Sequence, residues 1–323
     1  PDLFQLPNNS QPWAEMWFGT HPSAPSRLDT ANGPLLSDDL GEMTMLVKVL
    51  ACTSPLSLQT HPTRQQAERG FARENATGIP LSDPKRVYKD PSDKPEILIA
   101  LTEFEALCGF DTIEASIDRL QQFGWNEEAD VLDQNGIDGY LLWAFDQRTS
   151  PSMNAVPGWM QRLSDAYPTD RALRVAPLLH HIVLQPGQAI SLPAGNLHAY
   201  LHGAGIEVMA SSDNVVRAGF TSKHVDVGEL LRIVDTSPLE SPISPTFVNN
   251  HWTEYASPSP AFSVASTTWE NLHTVEASSA HRFFFGPLGD DARPDMTWLP
   301  AGESHNFKTV PGTHNVAWMF TQN

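Results

Sequence analysis

GQAISLPAGNLHAYLHGAGIEVMASSDNVVRAGFTSK, residues 187 to 223, is the stretch that decides the fold. Its alternating AISL letters run into Pro193 and Gly195, a pair suited to a tight turn because proline presets φ and glycine takes conformations that other residues avoid. His198 follows, and Tyr200 falls on the same face of the next strand, since strand side chains alternate with period two. Glu207, Asp213, Arg217 and Lys223 come after. A histidine just past a turn, trailed by acids and two cations, is the layout of a metal and anion site.

Gly187 and the residues after it, closing on Pro-x-Gly-x-x-His, resemble the second motif of the cupins, whose small jelly-roll barrels hold a metal inside. The asparagine usual four residues beyond that histidine is His202 here.

Around this stretch, 323 residues give two domains or one elaborated domain. With 27 prolines and 20 glycines, the composition suits many short strands and turns better than a helical bundle. Cys52 and Cys108 are too few for a secreted disulfide framework, and the letters show neither a signal pattern nor a long apolar run, so a soluble, cytoplasmic protein is expected. Thirty-eight acids against twenty Lys and Arg give a net charge of -18, which repels nucleic acid and anionic membranes. An anionic substrate must therefore meet a local cluster of cations. Residues 214 to 224, NVVRAGFTSKH, supply one, with Arg217, Lys223 and His224 and no acid.

Strand patterning predicts extended chain over 42 to 61, a polar helix over 64 to 78 ending at Gly78, and a strand at ILIALTEF. From Asp111 to Arg174 apolar positions recur at three and four residues, as in TIEASIDRLQQFGW, which predicts helices. Strands resume at LLHHIVLQPGQAISLPAG, and the Pro/Ser-rich run 235 to 247 reads as a linker. The organisation expected is mainly β. A catalytic barrel spans 1–110 and 175–235, a helical insertion spans 111–174, and 236–323 form a second β-unit. PAGNLH at 193 to 198 returns as PAGESH at 300 to 305, which suggests two similar β-units.

In PLSLQTHP, the polar Ser57, Gln59 and His61 alternate with Leu58 and Thr60, so an extended chain turns all three to one side. Two ligands one residue apart share a metal only from a strand. Glu96 opens an apolar strand with Lys94 two residues before it, and a buried carboxylate costs several kcal/mol unless it is paired or metal-bound. Taken singly, each has a plainer reading: Gln59 as a strand amide, Glu96 as a salt bridge to Lys94 or Lys89, Arg217 as a solvated arm. His180, His181, His202, His224 and His305 are read as structural or surface histidines.

Together the segments PWAEMWFGTHP, LVKVLACTSPLSLQTHP, YKDPSDKPEILIALTEFEALCGF and PAGNLHAYLHGAGIEVMASSDNVVRAGFTSK, in this order, are similar to the type I phosphomannose isomerases, over roughly Pro12 to Asp235. The resemblance implies a zinc enzyme with two cupin-type jelly-roll barrels and a helical domain inserted in the catalytic one. It places one Zn2+ on Gln59, His61, Glu96 and His198, and its arginine, lysines and acids on Arg217, Lys94, Lys223, Glu207 and Asp213. Ser57 and Tyr200 match pocket positions. The implied reaction interconverts mannose 6-phosphate and fructose 6-phosphate through a cis-enediol. Arg217 would stand at the reacting oxygens, Glu207, Asp213 or Lys94 would carry the proton, and Lys223, Ser57 or Lys94 would anchor the phosphate. A small sugar phosphate is thus the expected partner, with a monomer expected. The family's aromatic-x-Trp-Gly-Ser strand has no counterpart from Pro1 onward, and the C-terminal β-unit is shorter than the pattern. A metal oxygenase would use two or three histidines and iron, and a sugar-binding regulator would have lost ligands or cations. Neither fits the letters as well.

Overall fold

The computed structural model describes residues 14–28, 32–287, 294–307 and 316–323. Strand exceeds helix, 32% against 26%, so the chain is mainly β as expected. It folds as two compact units. The first comprises Pro1–Leu50, Ile206–Ser211 and Ser244–Asn323, and the second Ala51–Gly205 and Ser212–Ile243. The described residues before Ala51 thus group with the C-terminal sheet, a grouping not drawn from the sequence. No helix among the described residues is long and apolar enough to cross a membrane.

Early strands are β1 (Glu15–Phe18), β2 (Met45–Cys52) and β3 (Leu58–Thr60), followed by β4 (Glu96–Ala100) and β5 (Phe104–Phe110). After the helices come β6 (Leu179–Leu184), β7 (Ala189–Leu192), β8 (His198–Ala210) and β9 (Val216–Gly219). In the second unit β8 pairs with β3, β4 and β5, β9 with β3, β6 with β5, and β7 with β4. These pairings branch from β8, and they close no ring among the described residues. Leu58 of β3, Leu107 of β5, Ala199 of β8 and Val216 of β9, with Leu197 just before β8, belong to a cluster shared with the helices.

The helices are α1 (Leu36–Leu40), α2 (Arg64–Ala76), α3 (Ile113–Gln122), α4 (Asn126–Asp146), α5 (Gly158–Ala166) and α6 (Val227–Ile233). α2 begins where the sequence places it, because Thr63 and Gln66 form a capping box, and the chain turns out of it at Gly78 with φ of 73°. Three helices fall in the 111–174 stretch, and their Leu120, Leu132, Tyr140 and Leu163 enter the same core cluster.

Tyr88 is fully buried and donates its hydroxyl to Glu229 Oε1 at 2.6 Å, while Arg73 and Arg232 reach Glu229 Oε2 at 2.7 and 2.9 Å. Gly70 of α2 is obligatory there, since a Cβ on it would stand 2.2 Å from the Tyr88 ring. The Pro/Ser-rich run read as a linker is tied down at its start. Leu239 N–H donates to Phe110 O at 2.8 Å, and Leu239 O accepts from His180 Nε2 at 2.8 Å.

The first unit carries β10 (Thr246–Asn249), β11 (Trp252–Tyr255), β12 (Phe262–Thr268), β13 (Thr274–Val275), β14 (His281–Pro287), β15 (Pro294–Leu299), β16 (His305–Asn306) and β17 (Val316–Gln322). Six of them form an open antiparallel sheet in the order β10-β11-β12-β17-β14-β15, and β13 pairs with β16. Phe284, Trp269, Leu272 and Leu299 form its core.

Candidate metal centre

Four strands of the second unit deliver the polar residues singled out above. β3 is only three residues long, yet its register is fixed on both sides: Gln59 stands opposite His198 of β8 and opposite Arg217 of β9. Directly paired residues on antiparallel strands share a face with Cβ atoms about 5 Å apart, so these three side chains form a row across the sheet. His61 follows one residue beyond β3, held by the Gly195 N–H donating to its carbonyl at 2.8 Å. Gly195 occupies the turn before His198 with φ of 83°, and a Cβ there would meet Asp235 Cβ at 2.9 Å, so the turn requires glycine. Glu96 opens β4, and its partner across that pair is Leu192.

The side chains of His61, Glu96 and His198 are all about 1% exposed and converge. Glu96 Oε2 lies 3.3 Å from His61 Nε2 and 3.6 Å from His198 Nε2. One ligand atom from each of the three lies within 4.8 Å of the others, and no second cluster of this kind occurs among the described residues. Lys94 Nζ sits 2.8 Å from Glu96 Oε1.

Both imidazoles are oriented the same way. His61 Nδ1 meets Asn214 O at 2.7 Å and His198 Nδ1 meets Asn196 O at 3.0 Å. A carbonyl can only accept, so each Nδ1 carries the proton, and in the neutral ring each Nε2 turns a lone pair inward. Those two Nε2 atoms and Glu96 Oε2 are buried without any hydrogen-bond partner in the protein. Buried polar atoms are almost always paired, and three orphaned acceptors facing one point are what a cation would satisfy. Two nitrogens and a carboxylate oxygen form a donor set that suits zinc, and Gln59 stands across the sheet from His198. Ser57 Oγ donates to Gln59 Oε1 at 2.9 Å, which fixes the amide.

Electrostatics agree with this arrangement. Burial by itself would raise the Glu96 carboxyl, but His61 and then Lys94 hold it well below the usual carboxylate range. Burial, reinforced by His61, lowers His198 to about 4, so its imidazole is neutral and able to ligate at physiological pH. Cys108 stands opposite His198 across β5 and β8. Burial pushes its thiol up to about 12, and its Sγ stands 3.7 Å from the Asn196 side-chain oxygen.

The remaining residues from the sequence lie as follows. Arg217 is half-buried, and among the described residues its guanidinium has no carboxylate or hydrogen-bond partner; burial lowers its pKa. Tyr200 is buried on the His198 face of β8, its ring 6.0 Å from the His198 ring and 5.3 Å from Phe104. Asp213 has an exposed side chain and donates its N–H to Asp90 Oδ2 at 3.0 Å. Lys223 is exposed. Glu207 belongs to the first unit, where it is buried 3.8 Å from Lys48 Nζ, and that ammonium stacks over Trp17 at 4.4 Å. Lys94 thus lies beside the trio at Glu96, and the strand register aligns Gln59 and Arg217 with His198.

The histidines read as structural behave so. His181 stacks on Trp159 at 4.6 Å and bonds Glu105 at 2.9 Å, while His202 and His224 are exposed. His305 is exposed on β16 with its ring against Phe307 at 4.5 Å.

Comparison with known proteins bears on what such a centre belongs to. Residues 4–113 match the model of the phosphomannose isomerase type I catalytic domain. The mannose-6-phosphate isomerase of Salmonella typhimurium is 36% identical over 275 residues, covering 73% of this chain and 70% of the relative. This chain belongs to the type I phosphomannose isomerases. The phosphomannose isomerase named mannose-6-phosphate isomerase 1 in Arabidopsis thaliana is 29% identical over 359 residues and spans 94% of this chain. A crystal structure of a mannose 6-phosphate isomerase bound with zinc and yttrium aligns with 100% of this chain and 94% of its own, at a TM-score of 0.81 and 28% identity.

Three residues of this phosphomannose isomerase escaped the reading of its sequence. Asn196 and Asn214 orient the two imidazoles through main-chain carbonyls, which no letter advertises. Asp90 binds the segment 212–214, although it lies over a hundred residues away.

Proposed function

We propose that the chain is a zinc-dependent aldose–ketose isomerase interconverting mannose 6-phosphate and fructose 6-phosphate through a cis-enediol. The observation that carries this reading is the buried trio of His61, Glu96 and His198, with its orphaned ligand atoms, in a chain of this family. Gln59, His61, Glu96 and His198 would hold the zinc, which when bound polarises sugar oxygens and stabilises negative charge developing on them.

The chain's own groups account for the rest. Isomerisation removes a proton from C2 of the aldose and returns one to C1, while O1 gains a proton and O2 loses one. Arg217, in the row beside Gln59 and without a carboxylate partner among the described residues, would hold the paired oxygens of the enediol with its planar fork. Lys94, buried against Glu96, is our choice for the proton carrier, with Asp213 and Glu207 the acids of the family pattern. Lys223, exposed beyond β9, and Ser57, beside Gln59, would receive the phosphate, and a fixed phosphate orients the reacting carbons. Tyr200 would wall the pocket. We read the fold as the cupin type, with residues 111–174 inserted between the halves of a catalytic jelly roll and 236–323 as a second β-unit.

Two histidines and one carboxylate are also the donor set of non-haem iron oxygenases. The Gln59 amide in the same row and the family membership favour the isomerase. A coupled assay of mannose 6-phosphate turnover decides. Turnover that is abolished by chelator and restored by zinc supports the reading, and absence of turnover in zinc-loaded protein overturns it.

A further inference from the structure

Asn214 stands at a junction that the proposed chemistry leaves unexplained. Its side chain is fully buried, and every hydrogen-bonding site of its amide is used on one short loop. Oδ1 accepts from the N–H groups of Lys89 at 2.7 Å and Asp90 at 3.3 Å. Nδ2 donates to the carbonyls of Asp90 at 2.8 Å and Ser92 at 2.7 Å. Because these partners are main-chain groups of fixed polarity, the orientation of the amide is determined, and a carboxylate in its place could not donate. The loop answers in kind. The Asp90 carboxylate accepts from Ser212 Oγ at 2.9 Å and from Asp213 N–H at 3.0 Å.

Two parts of the metal centre hang on this clasp. The loop runs directly into Lys94 and Glu96. The main-chain carbonyl of Asn214 receives the Nδ1 proton of His61 at 2.7 Å. We propose that Asn214, clasped by Asp90, is the positioning residue that ties the Lys94–Glu96 segment to His61, so that ligands from separate strands arrive at one point. The SDN letters at 212 to 214 are then chiefly a structural clasp on the ligand shell. This inference rests on the metal reading above, and it deepens that reading by assigning the parts that hold the shell in place. Outer partners of ligating histidines are worth roughly 10–100-fold in metal affinity or activity.

The test measures zinc release from the holoenzyme to a chromogenic chelator, together with the melting temperature. The variants are Asn214→Asp, which keeps the shape and loses both donors, and Asp90→Asn, which keeps the shape and loses the charge. Tyr140→Phe, which removes a buried hydrogen bond to Arg174 O within the helical stretch, controls for general destabilisation. Asn214→Asp is expected to release zinc about tenfold faster than the parent or more, and Asp90→Asn to shift the same way. Tyr140→Phe should melt earlier yet release zinc at the parent rate. Should Asn214→Asp fail to fold, Asp90→Asn decides alone. Release at the parent rate in the clasp variants, or equal acceleration in Tyr140→Phe, overturns the inference while leaving the metal reading intact. A parent protein that binds no zinc overturns the metal reading itself.

Discussion

Gln59 and Arg217 face each other across β3 and β9, and His198 faces Gln59 from the other side, so Gln59 stands between the arginine and the histidine in one row. Among the described residues the half-buried guanidinium has no carboxylate partner.

Arg217→Lys tests that placement. The substitution keeps the charge and loses the planar fork, so turnover of mannose 6-phosphate should fall at least about tenfold while zinc content stays normal. Steady-state kinetics beside elemental analysis gives both numbers. Near-normal turnover would remove Arg217 from the reacting oxygens.

The turn bearing His305 copies the one bearing His198 in Pro, Gly and His, yet the structure sets the two histidines in opposite environments. His198 is 1% exposed beside His61 and Glu96, whereas His305 is exposed on a two-stranded ribbon. His305→Ala should leave zinc stoichiometry and turnover unchanged and cost less than about 1 kcal/mol, as surface substitutions do. A metal ion lost specifically from this variant would show that the copied turn has a chemistry of its own.

Glu229 supplies an acid-sensitive latch on α2 and α6. Burial would raise its carboxyl, but the Tyr88 hydroxyl first and then Arg73 and Arg232 hold it below the usual carboxylate range. A carboxylate whose folded pKa is depressed contributes stability that is complete above its unfolded pKa of about 4.3 and is lost as pH falls through the lower folded value. The parent protein should therefore lose melting temperature more steeply below about pH 4.3 than Glu229→Gln, which should start lower at neutral pH. Parallel melting curves from pH 7 to pH 3 for the two proteins would remove Glu229 from the acid response.

Much of the centre was legible because strands repeat every two residues. Ser57, Gln59 and His61 alternate visibly, and Glu96 is conspicuous as a charge heading ILIA. The helix read over 64 to 78 from its polar letters and Gly78 is observed as Arg64–Ala76, and the helices of the 111–174 stretch were legible from their apolar spacing. Less could be read where function depends on groups that carry no distinctive letter. The carbonyls of Asn196 and Asn214 set both histidine tautomers, yet any residue has a carbonyl. Glu207 shows a different limit. It shares β8 with His198, and no letter shows that it would be buried 3.8 Å from the Lys48 ammonium. Lys48 itself was a signal passed over, a single charge within the apolar run MLVKVLAC.

The central claim is that His61, Glu96 and His198, with Gln59, form one zinc shell, and metal content in His198→Ala tests it most directly. Elemental analysis of the parent should give one equivalent of zinc per chain. In His198→Ala zinc and turnover should be lost together, since Nε2 of His198 is one of only three orphaned ligand groups in the trio. A full equivalent of zinc retained by His198→Ala would contradict the account.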